Sequence, residues 1–390
     1  MFPRRMAAAA GLALLVQAPA LHGQSTHTVV ASPTVQSWQF NDAVPLDAMT
    51  VKSATQISLP FLIERGLGTR WRASASGAVF SSSITTDSAR SGTTRSLSGL
   101  TDVRLRATGR LIGDALQLTV GVNVPTGATG LSVIENTVLR VIAAPALGAQ
   151  VAVPGTGLGG TVGLLSAHTV GPWALALGAS VEKRGTYSPV EATIAGRSAS
   201  TELAPGGTAH LSLGADRLLG ANRLTVGVVG DLYGTDEIHA IANGASKTDT
   251  YQLGPTGLIA ITLQIASTRI RDLTLQFSDR YRSSFKDGAG VVVEGSSGNY
   301  IELGGMGTLG TPGRPSLVLG LDVRQQSGLP VDKSFIGAGL TAAGATVGAS
   351  FPQGGVEWRP SVRLSMGTLK TEQLSTAVRS ITAGLTISAR

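Results

Sequence analysis

The feature that most constrains this chain is a period-two alternation of apolar with small or polar residues, recurring from about residue 50 to the last residues. In Asp102–Leu111 one face carries Val103, Leu105, Ala107, Gly109 and Leu111. The other carries Asp102, Arg104, Arg106, Thr108 and Arg110. Leu116–Val124 repeats the pattern, with Leu116, Leu118, Val120, Val122 and Val124 against Gln117, Thr119, Gly121 and Asn123. Two is the side-chain period of a strand. The rhythm returns at Trp71–Val79, Trp173–Val181, Leu224–Leu232, Ile259–Ile265, Leu273–Phe277, Leu317–Val323, Trp358–Leu364 and Ile381–Ile387. A soluble sandwich also alternates, so length decides. These segments run to about nine to fifteen residues, whereas soluble strands average about 5–6 and a tilted transmembrane strand needs about 9–11.

Beyond the N-terminus there is no apolar run of about 18 residues, hence no spanning helix. Strands can cross a bilayer only as a closed barrel, where every backbone group finds a partner. Composition agrees. With 51 Gly in 390 residues, long helices are disfavoured, and with 14% charged residues much of the surface faces something other than water. There is no Cys, hence no disulfide. The expected fold is therefore all-β: one antiparallel transmembrane β-barrel, polar inside and apolar outside. Short turns at Ile112–Asp114, Val170–Pro172, Leu218–Ala221 and Thr311–Arg314 alternate with longer polar loops at Ser82–Ser98, Arg184–Thr201, Gly234–Thr250 and Ser283–Ser297. That is the rhythm of outer-membrane barrels, with short periplasmic turns and longer external loops. About fifteen strands follow from Ile57 onward, and both termini in the periplasm require an even number, so either Thr28–Phe40 adds a sixteenth or one of the fifteen is not a strand; the expectation is 14–16 strands, with 12 allowed. Ser132–Val153 stays unassigned, because Val138–Ala144 is apolar without clean alternation.

The N-terminus predicts export. Arg4 and Arg5 precede the short apolar run Met6–Val16, and Ala18-Pro19-Ala20 offers small residues for cleavage between Ala20 and Gln24. Residues 1–23 are expected to be a signal peptide and 24–390 the barrel. The expected location is the cell outer membrane, and the expected partners are its lipid, the barrel-assembly machinery and a small-molecule solute.

The stretch Ser98-Gly99-Leu100-Thr101-Asp102-Val103-Arg104-Leu105-Arg106-Ala107, followed by Leu118-Thr119-Val120-Gly121-Val122-Asn123-Val124-Pro125-Thr126-Gly127, resembles a strand, hairpin and Pro-Thr-Gly loop of outer-membrane proteins grouped with the phenol meta-degradation pathway. Those are distantly similar to long-chain fatty-acid transporters. The resemblance covers about thirty residues and implies a barrel passing small, often hydrophobic, molecules.

The residues themselves point to charge in the lumen. Arg70 and Arg72 share the polar face of one strand, and Arg104, Arg106 and Arg110 that of the next. If the two strands pair, five guanidinium groups line one wall, and Arg359 and Arg363 extend it. Charged side chains lining a pore set its selectivity, and arginine favours anions. The acids Asp102, Glu302, Asp322 and Glu357 lie on other polar faces. Two readings stay open: a structural ion network, or a selectivity wall. Resemblance and arginines together suggest amphipathic or aromatic acids as solutes. The alternative function is a plugged barrel with a structural or surface-binding role.

Other chemistries lack their patterns. Gly155-Thr156-Gly157-Leu158-Gly159-Gly160 matches a dinucleotide fingerprint, but strand and turn follow where a helix is required. His27, His168, His210 and His239 show no metal spacing, and no Gly-x-Ser-x-Gly elbow appears. The acids are scattered, one per strand. Lys and Arg are dispersed, without an aromatic-interleaved basic patch, which argues against nucleic acid. No enzyme, cofactor or metal is expected.

Overall fold

A computed structural model of the chain describes residues 27–46, 49–87, 93–112, 115–194, 197–242, 245–267, 270–311, 313–328, 339–371 and 374–389. The expected signal peptide lies outside them. No described helix is long and apolar enough to cross a membrane, which says nothing of strands.

The chain forms a closed antiparallel barrel. β1 (His27–Ala31) and β2 (Thr34–Leu46) are halves of one strand, since both pair with β3 (Met49–Leu67) on one side. β4 (Trp71–Thr86) follows. β5 (Thr93–Leu100) and β6 (Val103–Ile112) are again halves of one strand against β4, interrupted at Thr101 and Asp102. The meander continues through β7 (Leu116–Val124), β8 (Gly159–Val170) and β9 (Trp173–Arg184). There the chain leaves the barrel as the hairpin β10 (Tyr187–Ile194) and β11 (Arg197–Ala204), then returns as β12 (Thr208–Leu219) and β13 (Asn222–Tyr233). A second hairpin, β14 (Asp236–Ala242) and β15 (Ala245–Tyr251), pairs with the first to make a four-stranded sheet outside the wall. β16 (Thr256–Ile265), β17 (Arg271–Arg282), β18 (Gly298–Leu309), β19 (Ser316–Gly328), β20 (Gly339–Gln353), β21 (Val356–Lys370) and β22 (Ser375–Ala389) complete the wall. β22 pairs back onto β1 and β2, with Val29 opposite Ala389 and Phe40 opposite Val378.

Two of the eighteen hydrogen-bonded segments are thus second halves, leaving sixteen strands. This corrects the expected count: 12 and 14 are excluded. The N-terminal strand is one of the sixteen, which decides between the two alternatives left open for Thr28–Phe40. The polar "loops" Arg184–Thr201 and Gly234–Thr250 are corrected too, since both contain strands, and Ser82–Ser98 begins and ends in strand.

Most of the long connections lie at one end of the barrel, the loop end, where only residues 47–48 and 371–374 make short links, and the other end, the turn end, has short ones. At the turn end Gly171 (φ 57°) and Gly220 (φ 63°) take left-handed backbone, which a side chain resists and a two-residue hairpin needs. The outward face is apolar: Val79, Leu105, Leu213, Ile261, Leu321 and Val362 all project out of the wall and are exposed. A belt on this scale would be an aggregation surface in water and is the expected surface against lipid. Three of the four Trp lie in one ring at its turn-end margin: Trp71, Trp173 and Trp358 start or nearly start β4, β9 and β21. The guanidinium of Arg217 sits 5.3 Å from the Trp173 ring centroid. Trp and Arg at one level mark where apolar gives way to polar surroundings.

Candidate functional site

The connection between β7 and β8 is unlike the others. Residues 125–158 fold into the barrel interior around a helix, α1 (Val133–Ile142). Ser132 caps it. Its hydroxyl accepts from the Glu135 backbone N–H (3.3 Å), and the Glu135 carboxylate accepts from the Ser132 backbone N–H (2.9 Å). This reciprocal box satisfies two donors that a helix start leaves orphaned. The helix buries Val138, Val141 and Ile142 against inward side chains of the wall: Trp38 and Phe40 (β2), Phe80 and Ile84 (β4), Leu97 (β5), Leu340 (β20), Leu369 (β21) and Val378 (β22). No member of this cluster among the described residues comes from β6 to β19. One side of the lumen is therefore dry and filled, and the uniformly polar interior expected from sequence is corrected. Burying each such side chain contributes about 1.5–3 kcal/mol.

Past the helix the segment pairs with the wall through side-chain amides. The Gln56 amide, fully buried, donates to the Val151 carbonyl (2.8 Å) and accepts from the Val151 N–H (2.9 Å). Gln36 accepts from the Gln150 N–H (3.0 Å). Each glutamine mimics a strand edge, so the inserted backbone is satisfied without being a strand.

Both stems of the segment are fastened by one carboxylate. Asp102 accepts from the Gly127 N–H (2.9 Å), the Thr156 N–H (2.6 Å), the Thr156 hydroxyl (3.1 Å) and the Asn123 amide (2.9 Å). The break between β5 and β6 places it there. Thr126 fills the gap, accepting from the Val103 N–H and donating to the Thr101 carbonyl, each at 2.9 Å. A Cβ on Gly127 would stand 2.2 Å from the Pro154 carbonyl oxygen, so the stems approach as closely as they do only because a glycine is there. The residues that carried the family resemblance are the two sides of this clasp. Gly155–Gly160, the fingerprint-like run, is the exit stem and the start of β8, consistent with the sequence argument against a nucleotide.

The predicted lumen charges sort into paired and unpaired. β4 and β6 do pair, with Ser74 opposite Arg106 and Ser76 opposite Arg104. Arg70 is corrected: it lies in the turn between β3 and β4, where its carbonyl accepts from the Arg110 N–H. Arg110 donates to the Thr69 carbonyl (2.5 Å). Arg72 pairs with Glu64 (3.2 Å), and Arg359 with Glu357 (2.8 Å). Arg363 grips Asp322 through two nitrogens (2.8 and 2.5 Å), and the pair spans β20 over Gly344, where a Cβ would meet Arg363 at 2.5 Å. Glu302 stands opposite Arg324 in the register. Asp102, expected among the lumen acids, is corrected: its carboxylate is taken up by the clasp. Among the described residues the guanidiniums of Arg104 and Arg106, like that of Arg70 in its turn, make no side-chain hydrogen bond or ion pair, and of these three only Arg104 and Arg106 stand in the wall.

Sequence reasoning missed four neighbours of these two. Arg184 reaches the same patch because Arg104 faces Asn123, Asn123 faces Gly159 and Gly159 faces Arg184 across successive strands. Arg184 pairs with Glu182 (2.5 Å). Beyond them, His210 Nδ1 lies 2.7 Å from Asp231, which also accepts from the Thr256 hydroxyl (2.9 Å). The parity of β9, β12 and β13 points all of these inward, which the alternation already encodes.

The sequence matches no family model and no curated protein, so the phenol meta-pathway resemblance gains no support there. Solved structures that overlay on the chain include the TodX monoaromatic hydrocarbon channel (deltaS2 mutant), at 12% identity and TM-score 0.44 over 94% of this chain and 91% of that one. Pseudomonas putida OprB overlays at 11% and 0.45 over 93% and 94%. Pseudomonas aeruginosa OccK1 overlays at 10% and 0.43 over 93% and 98%. The sixteen-strand count and the register rest on this chain's own hydrogen-bond ladder.

Proposed function

We propose that this chain is an outer-membrane channel, with its path running along the polar wall from β6 to β18, beside the inserted segment. The observation that carries this reading is the pair Arg104 and Arg106: lumen-facing guanidiniums with no ion-paired acid, whereas Arg184, Arg324 and Arg363 are each paired with one. Such groups favour entry of anions. The apolar outer belt and the Trp ring support insertion in lipid, with the turn end in the periplasm. The solute class that fits both the arginines and the sequence resemblance is a small amphipathic or aromatic acid.

One observation favours a second reading. The dry cluster around α1 fills one side of the lumen, and if it closes the whole bore the protein is a structural or surface-binding barrel. Planar-bilayer conductance of the refolded protein under a salt gradient separates the two. The channel reading expects stable openings with a reversal potential favouring anions, and expects Arg104→Ser with Arg106→Ser to lower that preference. In liposomes the double variant should slow uptake of benzoate and spare benzyl alcohol. Equal loss of both solutes, or no openings from a heat-modifiable, folded barrel, would sink it.

A further inference from the structure

We infer that the inner wall of β7, β8, β9, β12 and β13 holds a saturable binding site for a small organic carboxylate, centred on Arg104, Arg106 and Arg184. The inference rests on the channel reading only for how the ligand arrives.

A groove of about 710 Å³ lies at this wall; the inward side chains in its lining are Thr161, Glu182, Thr208 and Tyr233 beside the bare Gly121, and the arginines adjoin it without lining it, Arg106 opposite Gly121 and Arg184 two residues along from Glu182. They form one row across the strands: Arg106 faces Gly121, Gly121 faces Thr161, Thr161 faces Glu182, Glu182 faces Thr208, and Thr208 faces Tyr233. The row is cationic at one end, carries Glu182 midway and ends at Tyr233.

Glycine brings the cations together. A Cβ on Gly121 would lie 3.2 Å from Cγ of Arg106, and one on Gly159 3.3 Å from Cγ of Arg184. The arginine stems therefore lie flat on the sheet, with their heads over the strands between them. Arg104 is within electrostatic reach of Arg106 and Arg184, and of the acids Glu182 and Asp102.

Acid is short. Asp102 is spent on four clasp donors. Glu182 is held by Arg184 through Nε. The Arg184 side chain is only 9% exposed, and its Nη1 is buried with no hydrogen-bond partner. A buried guanidinium donor left unmade is costly, and with Glu182 already held by Arg184 and no ion pair at Arg104 or Arg106 the three heads favour an added anion. A carboxylate suits them better than a compact ion. Its two coplanar oxygens match the guanidinium fork, and a groove of this size leaves room for an organic body reaching toward Tyr233. A single negative charge also keeps the hold weak enough for release, as conduction requires.

The test is calorimetric titration of the refolded full-length protein in detergent with sodium benzoate, and with benzamide as its uncharged counterpart. Benzoate should bind saturably and benzamide should not. Arg184→Gln, which removes one charge-assisted contact, and Thr161→Trp, which fills the groove and keeps every charge, should each weaken benzoate binding by about tenfold or more. Circular dichroism and heat-modifiable mobility confirm that each variant is folded. Equal binding of benzoate and benzamide, or a folded Thr161→Trp that binds as well as the parent, overturns the site. Saturable binding of inorganic phosphate with none of benzoate overturns the carboxylate class. Benzoate binding without conductance removes the channel reading alone, while anion-selective conductance without benzoate binding removes this site alone.

Discussion

Asp102→Ala is expected to release the inserted segment and to raise single-channel conductance severalfold, with frequent fluctuation between levels. The carboxylate holds four donors, two of them backbone N–H groups on opposite stems of residues 125–158. Hydrogen bonds to a charged acceptor contribute about 1.5–3 kcal/mol each, and alanine removes all of them at one position. The barrel ladder does not depend on this side chain, so heat-modifiable mobility should persist while the segment becomes cleavable by external protease. Gly127→Ala attacks the same closure from the other side, since its Cβ would collide with the Pro154 carbonyl. An Asp102→Ala barrel with parental conductance and a protease-resistant segment would show that the clasp does not hold the insertion.

Gln56→Leu should loosen the segment by a different route, at about 2–6 kcal/mol. Leucine is of similar bulk and would satisfy the apolar neighbours, but it leaves both the N–H and the carbonyl of Val151 without partners in a dry interior. Each buried unsatisfied polar group costs about 1–3 kcal/mol, so an apolar substitution in an apolar setting destabilises. Hydrogen exchange at the Val151 amide measures it directly. The expected result is protection reduced by orders of magnitude, with exchange across β7 and β8 little changed. Unaltered protection at Val151 would mean that another group holds the segment.

The wall was legible in the sequence because its physics is local. In Trp173–Val181 every second residue faces lipid and must be apolar, so the period shows directly. β10 and β11 were not legible, since Ser, Thr and Ala on both faces of a sheet standing outside the barrel leave little contrast between faces. The interior was misjudged at Phe80, on a face expected to be polar, and at Ile84, placed in a loop; both join Trp38 and Leu340 in the apolar cluster. What covers them is remote in sequence. A trace was nonetheless present: Ser132 and Glu135 have capping-box spacing, and Val138, Val141 and Ile142 follow at helical intervals. The arginines were found by parity alone. Which of them were neutralised was not, because Glu64, Asp322 and Glu357 become partners only through register and rotamer. Arg184 was overlooked because it ends its strand, where a charge ordinarily reads as the beginning of a loop.

The cluster around α1 also bears on how the cylinder closes. β22 is the last strand to form, and it must find β1 and β2 in one register out of several that satisfy its backbone equally well. Val378 enters the cluster from β22, while its neighbour Arg379 points outward. A slip of one residue would reverse every side chain on the strand, drawing a guanidinium into the dry interior and pushing Val378 out. Because α1 and the inward faces of β2 and β4 come earlier in the chain, they can stand as a gauge before the last edge arrives. Assembly then has a way to tell a correct seam from a shifted one. A chain whose α1 face is made polar should accumulate barrels that are closed but misregistered, a folding error rather than a loss of stability.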